Sequence, residues 1–146
     1  MLSKKFKFLF GICVVMIFVH ILNVLLSYRL NQYGISPRQL SSVWSIFAAP
    51  FLHGNVYHLL NNLFGLCLFS AFYFLHSLKR YVISCLFIIT VTGILVWFFG
   101  RNATHIGASG WVFGLWSLCI ATAWFERRFL NIVIAFIVVL FYGGVI

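Results

Sequence analysis

Acidic side chains are nearly absent from this sequence, since Glu126 is the single carboxylate among 146 residues. Charged residues make up 8% of the chain and apolar residues 64%, and the mean hydropathy is +1.09. A soluble domain cannot have this composition, because too few polar groups remain to cover its surface. The lack of acids also disfavours an ion-coupled transporter or channel subunit, because such proteins normally use buried carboxylates or paired charges.

The net charge of +9 is not gathered into a patch, as nucleic-acid binding would require. The basic residues occur singly or in short groups between long uncharged stretches. This is the pattern of topology signals in a membrane protein. We therefore expect a lipid bilayer around the chain and no nucleic-acid partner.

Five stretches are apolar over close to the roughly 20 residues that a helix needs to cross about 30 Å of hydrocarbon. A helix is required, because lipid offers no hydrogen-bond partner to the backbone. The predicted spans are Phe8–Tyr28, about Val56–Leu75, Tyr81–Gly100, Asn102–Phe125 and Phe129–Ile146. The first could instead be a signal peptide, but its apolar run is long and no cleavage site follows. The expected fold class is an all-α polytopic membrane helix bundle, in one domain over residues 1–146.

The distribution of lysine and arginine predicts a cytoplasmic N-terminus, in a plasma (inner) membrane. With that orientation seven basic residues lie inside and three outside, which satisfies the positive-inside rule. The inner set is Lys4, Lys5, Lys7, Lys79, Arg80, Arg127 and Arg128, and the outer set is Arg29, Arg38 and Arg101. The long connection from Tyr28 to about Val56 is then outside. It is apolar and contains tryptophan, so we expect it to dip into the membrane interface rather than to be a floppy linker.

The four cysteines have neither CxxC nor cysteine–histidine ligand spacing. We expect buried thiols rather than disulfides or metal ligands. All of them fall within predicted spans: Cys13, Cys67, Cys85 and Cys119.

Two polar groups of residues stand out, because polar side chains within a bilayer are costly and suggest a functional site. His58 and Asn62 are four residues apart at the start of the second span and so share one helix face, with His53 close to the helix start. The fourth span opens with Gly-Ala-Ser-Gly, in which Ser109 has glycines near it that allow close backbone approach. Each residue alone more often makes a packing hydrogen bond. Their combination is hard to obtain from packing alone.

These segments resemble those of the rhomboid family of intramembrane serine proteases. Residues 102–115 are similar to the family's nucleophile segment, whose core is Gly-x-Ser-Gly, and residues 50–62 are similar to its His-x4-His-x3-Asn segment. Their order and separation also match. Aspartyl intramembrane proteases need two carboxylates and zinc proteases need an HExxH-type helix, and the sequence has neither.

The resemblance implies that Ser109 attacks a peptide bond in the transmembrane segment of a substrate protein. His58, Asn62 and the Ser109 backbone N–H would hold the oxyanion. The resemblance also implies structural roles near this site, for His53, Gly107, Gly110 and Phe113. No metal or other cofactor is expected. The arginine that many family members have after the position of Trp44 is absent, so the anchoring of the outer connection should differ.

A serine nucleophile needs a general base, which in rhomboids is a histidine on a sixth membrane helix, in an Ala-His-x-x-Gly pattern. No histidine follows His105 in this sequence. We therefore expect a C-terminally truncated or degenerate rhomboid, with five of six helices and little activity on its own. His105, four residues before Ser109, is the least implausible substitute base. The alternative function is a non-catalytic rhomboid-like protein that binds membrane helices for quality control or trafficking.

Overall fold

The structure is a computed structural model that describes residues 2–74, 76–126 and 133. Five α-helices and three short 3-10 helices make up the described chain. The one pairing of extended backbone in that part is an isolated antiparallel bridge between Ile35 and His105. The predicted all-α class is confirmed. The predicted fifth span, Phe129–Ile146, lies outside the described residues apart from residue 133.

Four of the five predicted spans correspond to long helices. The helices are α1 (Leu2–Leu25), α2 (Ser45–Ala48), α3 (Val56–Tyr73), α4 (Leu78–Phe99) and α5 (Ser109–Glu126). By length and composition, α1, α3 and α4 can cross a membrane. Helix α5 has 18 residues, as many as α3. It packs against both α3 and α4.

Helix α5 begins at Ser109, within the Gly-Ala-Ser-Gly motif, whereas the predicted span as bounded by hydropathy began at Asn102. The residues before it form a loop in which the His105 N–H donates to the Ile35 carbonyl at 2.8 Å and the Ile35 N–H donates back at 2.9 Å. Gly107 then takes a φ of 107°, which residues with a side chain rarely adopt. Hydropathy could not show this boundary, because the loop is as uncharged as the helix.

The outer connection is a packed part of the fold. It contains α2 and the 3-10 helices Arg29–Tyr33, Leu40–Ser42 and Ala49–Phe51. Ile46 of α2 lies so close to Gly93 of α4 that a Cβ on the glycine would stand 2.4 Å from the isoleucine Cγ2. Arg38 donates from Nη1 to the carbonyls of Phe98 and Gly100, at 3.1 and 2.9 Å. These contacts fix the connection on the C-terminal end of α4.

Helices α4 and α5 approach closely along two glycines of α5. A Cβ on Gly110 would lie 3.2 Å from Thr92 Oγ1, and one on Gly114 would lie 2.2 Å from Ile88 Cγ2. This is the small-xxx-small packing of membrane helices. The central side chains of the bundle are fully buried: Met16, Leu66, Phe69, Tyr81 and Leu115.

The cysteines are free thiols, as expected, but not all are buried. Cys85 and Cys119 are buried in the core, whereas Cys13 is half-buried and Cys67 is exposed on α3. The Sγ atoms of Cys13 and Cys67 are 3.7 Å apart. The expectation of a buried thiol was wrong for Cys67, because apolar composition does not separate a core-facing position from one on the outer surface of the bundle.

Candidate active site

Ser109 is the first residue of α5. It is exposed and lines a cavity of about 110 Å³ together with Gly107 and Gly110. Its hydroxyl makes no hydrogen bond with the described part of the chain. The first helical hydrogen bond of α5 runs from the Val112 N–H to the Ala108 carbonyl at 2.9 Å. The N–H groups before it, including that of Ser109, make no hydrogen bond to the residues that the structure describes, and they lie at the positive end of the helix.

The start of α3 positions His58 and Asn62. The side chain of Asn55 caps this helix, since its Oδ1 accepts the His58 N–H at 2.8 Å. One turn later, Asn62 is buried and its Nδ2 donates to the His58 carbonyl at 2.9 Å. An amide NH₂ has two donors. One of them therefore fixes the Asn62 side chain on the helix face, and the other is left for a further acceptor.

Gly107 brings α3 and the start of α5 together. A Cβ on this residue would lie 2.5 Å from His58 Nε2, 2.6 Å from His58 Cε1 and 3.6 Å from Asn62 Nδ2. The bare backbone thus fits against both side chains, two residues before Ser109. Its N–H donates to the Ala49 carbonyl at 2.9 Å, which also ties it to the outer connection.

His53 lies behind His58 and is fully buried. The two rings meet edge to face, with centroids 5.0 Å apart. Burial, and secondarily the neighbouring His58, lower the pKa of His53 to about 4. The ring is therefore neutral near pH 7, and it packs against His58 rather than facing Ser109's cavity.

Two other predicted residues make no hydrogen bond with Ser109 in the described part of the chain. His105 lines the same cavity as Ser109, but its Nε2 lies 3.0 Å from the Arg101 carbonyl and donates to it. Phe113 is 38% exposed, and its ring contacts no histidine within the described ranges. The packing role expected for Phe113 stays a prediction.

Sequence reasoning missed three residues that hold the site in place. Arg38 anchors the outer connection to carbonyls at the end of α4, which is where a helix favours a positive charge. His20 and Asn23 of α1 are buried and face His53. The sequence did indicate His20 and Asn23, because two polar residues three apart in an apolar span share one helix face.

Comparison with known proteins shows the family of the chain. Residues 40–146 match the family model described as the Rhomboid domain, so the match includes both polar segments. The chain belongs to the rhomboid family. It is an integral membrane protein with the helical domain of that family.

Relatives of this rhomboid among curated proteins have no described function. The chain is 31% identical over 134 residues to an uncharacterized protein of Mycobacterium tuberculosis and to one of Mycobacterium bovis, covering 88% of this chain and 56% of theirs. An uncharacterized protein of Mycobacterium leprae is 31% identical over 142 residues, with 88% and 53% covered. The chain thus spans about half the length of the curated relatives it matches. No solved structure matches it.

Proposed function

We propose that this rhomboid supplies the nucleophile and the oxyanion site of an intramembrane serine endopeptidase. Ser109 is the nucleophile, and His58 and Asn62 stabilise the transition state. The substrates are transmembrane segments of other membrane proteins. The observation that carries the proposal is the fit of Gly107 against His58 Nε2 and Asn62 Nδ2. It supports the proposal because it brings the donors of α3 close to residue 107, two residues before Ser109. The described residues that line the Ser109 cavity include Gly107 but neither His58 nor Asn62.

The reaction follows from these positions. The Ser109 Oγ attacks the carbonyl carbon of the substrate, and the carbonyl oxygen becomes an oxyanion. The second N–H of Asn62, the His58 ring and the Ser109 N–H are the donors available to it. One such donor stabilises a transition state by about 2.7–4 kcal/mol in other serine proteases. The donors are effective because they are already held in place by the cap at Asn55 and by packing.

We also propose that a histidine outside these 146 residues is the general base, and that the sequence is part of a longer rhomboid domain. No histidine of the described site is hydrogen-bonded to Ser109: His58 packs on Gly107, His53 is buried behind His58, and His105 donates to the Arg101 carbonyl. The coverage of only about half of each relative supports the same proposal.

Labelling with a fluorophosphonate tests the nucleophile. The product of the full reading frame should be labelled, Ser109→Ala should abolish labelling, and Ser117→Ala should leave it unchanged. Ser117 is a matched control because it is an exposed serine two turns later on the same helix. A folded full-length protein that is not labelled would contradict the proposal.

A non-catalytic function is the second candidate, and one observation favours it. The Ser109 hydroxyl has no hydrogen bond to a histidine among the residues that the structure describes. A protein that only binds membrane helices would co-purify with uncut membrane partners, and Ser109→Ala would not change its phenotype. Loss of the phenotype in Ser109→Ala would exclude this candidate.

We propose further that the N-terminus is cytoplasmic. Lys5 donates to the carbonyls of Phe74 and His76 at 2.6 and 2.5 Å, and Arg80 pairs with Glu126 at 2.9 Å. Basic residues that the positive-inside rule assigns to one side therefore meet at one end of the bundle. A reporter enzyme that is active only outside the cytoplasm should be inactive when fused to the N-terminus and active when inserted after residue 101.

A further inference from the structure

Helix α1 presents two buried polar side chains to the site. His20 and Asn23 lie on one face and are 6% and 0% exposed. Both ends of the Asn23 amide are hydrogen-bonded. Its Nδ2 donates to Asn31 Oδ1 at 2.8 Å and to the His53 carbonyl at 3.4 Å. Its Oδ1 accepts the Leu30 N–H at 3.0 Å. Asn23 therefore shapes the connection, and the His20 ring lies near the rings of Tyr28 and His53, with centroids 6.1 and 6.5 Å away.

The rings of His20 and His53 are close but not bonded. Their centroids are 6.5 Å apart with an interplanar angle of 79°. His20 Nδ1 and both ring nitrogens of His53 are buried, and none of them reaches hydrogen-bond geometry with a described residue, although the Phe51 backbone lies close enough to the His53 ring to raise its pKa against the lowering by burial. Buried nitrogens are nearly always bonded to protein or to ordered water. Three such atoms on two facing rings therefore require an explanation.

The spacing suits a bridging water molecule. One water joins two ring nitrogens about 5.6 Å apart, which is twice an ordinary hydrogen-bond length. Rings at this separation can present nitrogens at that distance. A metal ion is a poorer fit, because within the described ranges no group of three histidine, cysteine or acidic residues is arranged to hold one.

A second contact continues from His53 to the oxyanion site. The His53 ring meets the His58 ring edge to face at 5.0 Å, and His58 Nε2 lies against Gly107. We propose that a buried water binds between His20 and His53, and that the column His20–water–His53–His58 makes His20 a positioning residue for the oxyanion site. The positioning role rests on the proposed function, whereas the water site does not.

The column has a physical effect on His58. A neutral imidazole has one donor and one acceptor nitrogen, and the low pKa of His53 keeps its ring in that form. A water shared with His20 fixes which nitrogen of His53 carries the proton and how the ring is turned. Because the edge of His53 packs on His58, it also fixes the orientation of His58.

Nitrogen-15 NMR of histidine-labelled full-length protein in detergent micelles tests the water site and the column. In the wild type, a ring proton of His53 should show a cross-relaxation peak with water. His20→Phe, which keeps a ring but removes its nitrogens, should weaken that peak and shift the ring nitrogen signals of His58. His20→Gln should restore them in part. Met16→Leu, at a fully buried position on the same face of α1, is the packing control and should change neither.

Labelling kinetics test the positioning role. His20→Phe should slow fluorophosphonate labelling of Ser109 about fivefold, the effect of one lost hydrogen bond, while His20→Gln and Met16→Leu stay near the wild-type rate. Absence of the water peak in the wild type would overturn the water site, whether or not His20→Phe folds. Unchanged His58 signals in folded His20→Phe would overturn the column. A wild type with both NMR signatures and no labelling would instead contradict the proposed function.

Discussion

Replacing Gly107 with alanine tests the contact on which the site depends. The residue has a φ of 107°, and its new Cβ would lie 2.5 Å from His58 Nε2 and 2.6 Å from Cε1. An L-residue in such a conformation costs about 1–2 kcal/mol. Overpacking a filled site costs about 1–3 kcal/mol more. We expect the free energy of unfolding to fall by about 2–5 kcal/mol, because the His58 ring and the backbone must both move.

Gly54→Ala is the matched control. This glycine lies in the same region, but its Cβ would meet nothing closer than Ile106 Cδ1 at 3.8 Å. The change should stay within about 0.5 kcal/mol, as for surface substitutions in general.

Two measurements separate the stability effect from the effect on the site. Thermal unfolding in detergent, followed by circular dichroism, should show Gly107→Ala melting roughly 5–15 °C below the wild type. At a temperature where the variant is still folded, Ser109 of the full-length protein should be labelled more slowly, because His58 and Asn62 are displaced. Gly107→Ala with wild-type melting and wild-type labelling would refute the placement of α3 against residue 107.

Three further predictions concern other parts of the bundle. Copper–phenanthroline should oxidise Cys13 and Cys67 to a disulfide, because their sulfurs are 3.7 Å apart. The disulfide would be seen as protection of two of the four thiols from alkylation. Alkylation of all four thiols would contradict the packing of α1 on α3. Lys5→Met should lower the free energy of unfolding by about 1–3 kcal/mol, since it removes a charged donor from two carbonyls after α3, whereas the exposed Lys4→Met should have little effect. His53 has a pKa of about 4, below its ordinary value of 6.5, so the unfolded chain binds more protons between these values. The free energy of unfolding should therefore be unaffected by His53 above pH 6.5 and should fall by up to about 3 kcal/mol toward pH 4. A free energy of unfolding that stays constant between pH 6.5 and pH 4 would refute this prediction.

The motifs predicted the starts of α3 and α5 well, whereas hydropathy alone placed the start of the fourth span too early, at Asn102. Helix α3 begins at Val56, as expected, because Asn55 is a side chain that caps helices and it precedes an apolar run. The start of α5 is set by the pairing of Ile35 with His105 and by the φ of Gly107. The pairing depends on a residue far away in the sequence, and the φ of Gly107 is a backbone conformation. A hydropathy profile shows neither.

In the candidate site too, relations within one helix could be predicted, whereas contacts between separate elements could not. His58 and Asn62 could be placed on one face because their spacing fixes their relation within a single helix. The approach of Gly107 to both residues was not predicted, since the resemblance to the rhomboid family implied only a structural role for Gly107 near the site. The contact between His20 and His53 joins two elements that are distant in sequence, and no local pattern pairs them.

The bundle buries polar side chains at its centre while it exposes large apolar ones. Phe99 and Leu25 are 81% and 75% exposed, as expected for a lipid-facing surface, whereas His53 and Asn23 are fully buried. Apolar surface gains little from association when the surroundings are also apolar. Polar contacts must therefore account for much of the specificity of packing in this chain.

Most buried polar side chains in the described part serve that purpose, as the hydrogen bond between Ser70 and Tyr81 at 2.7 Å does. By hydrogen-bond geometry, the exceptions there are Nε1 of Trp111 and Trp116, Nδ1 of His20 and both ring nitrogens of His53. Each unpaired buried group costs about 1–3 kcal/mol. Phenylalanine or leucine would remove that cost at His20 and His53, so packing alone does not explain two imidazoles beside His58. Their nitrogens are explained if they bind water and hold the oxyanion site in position.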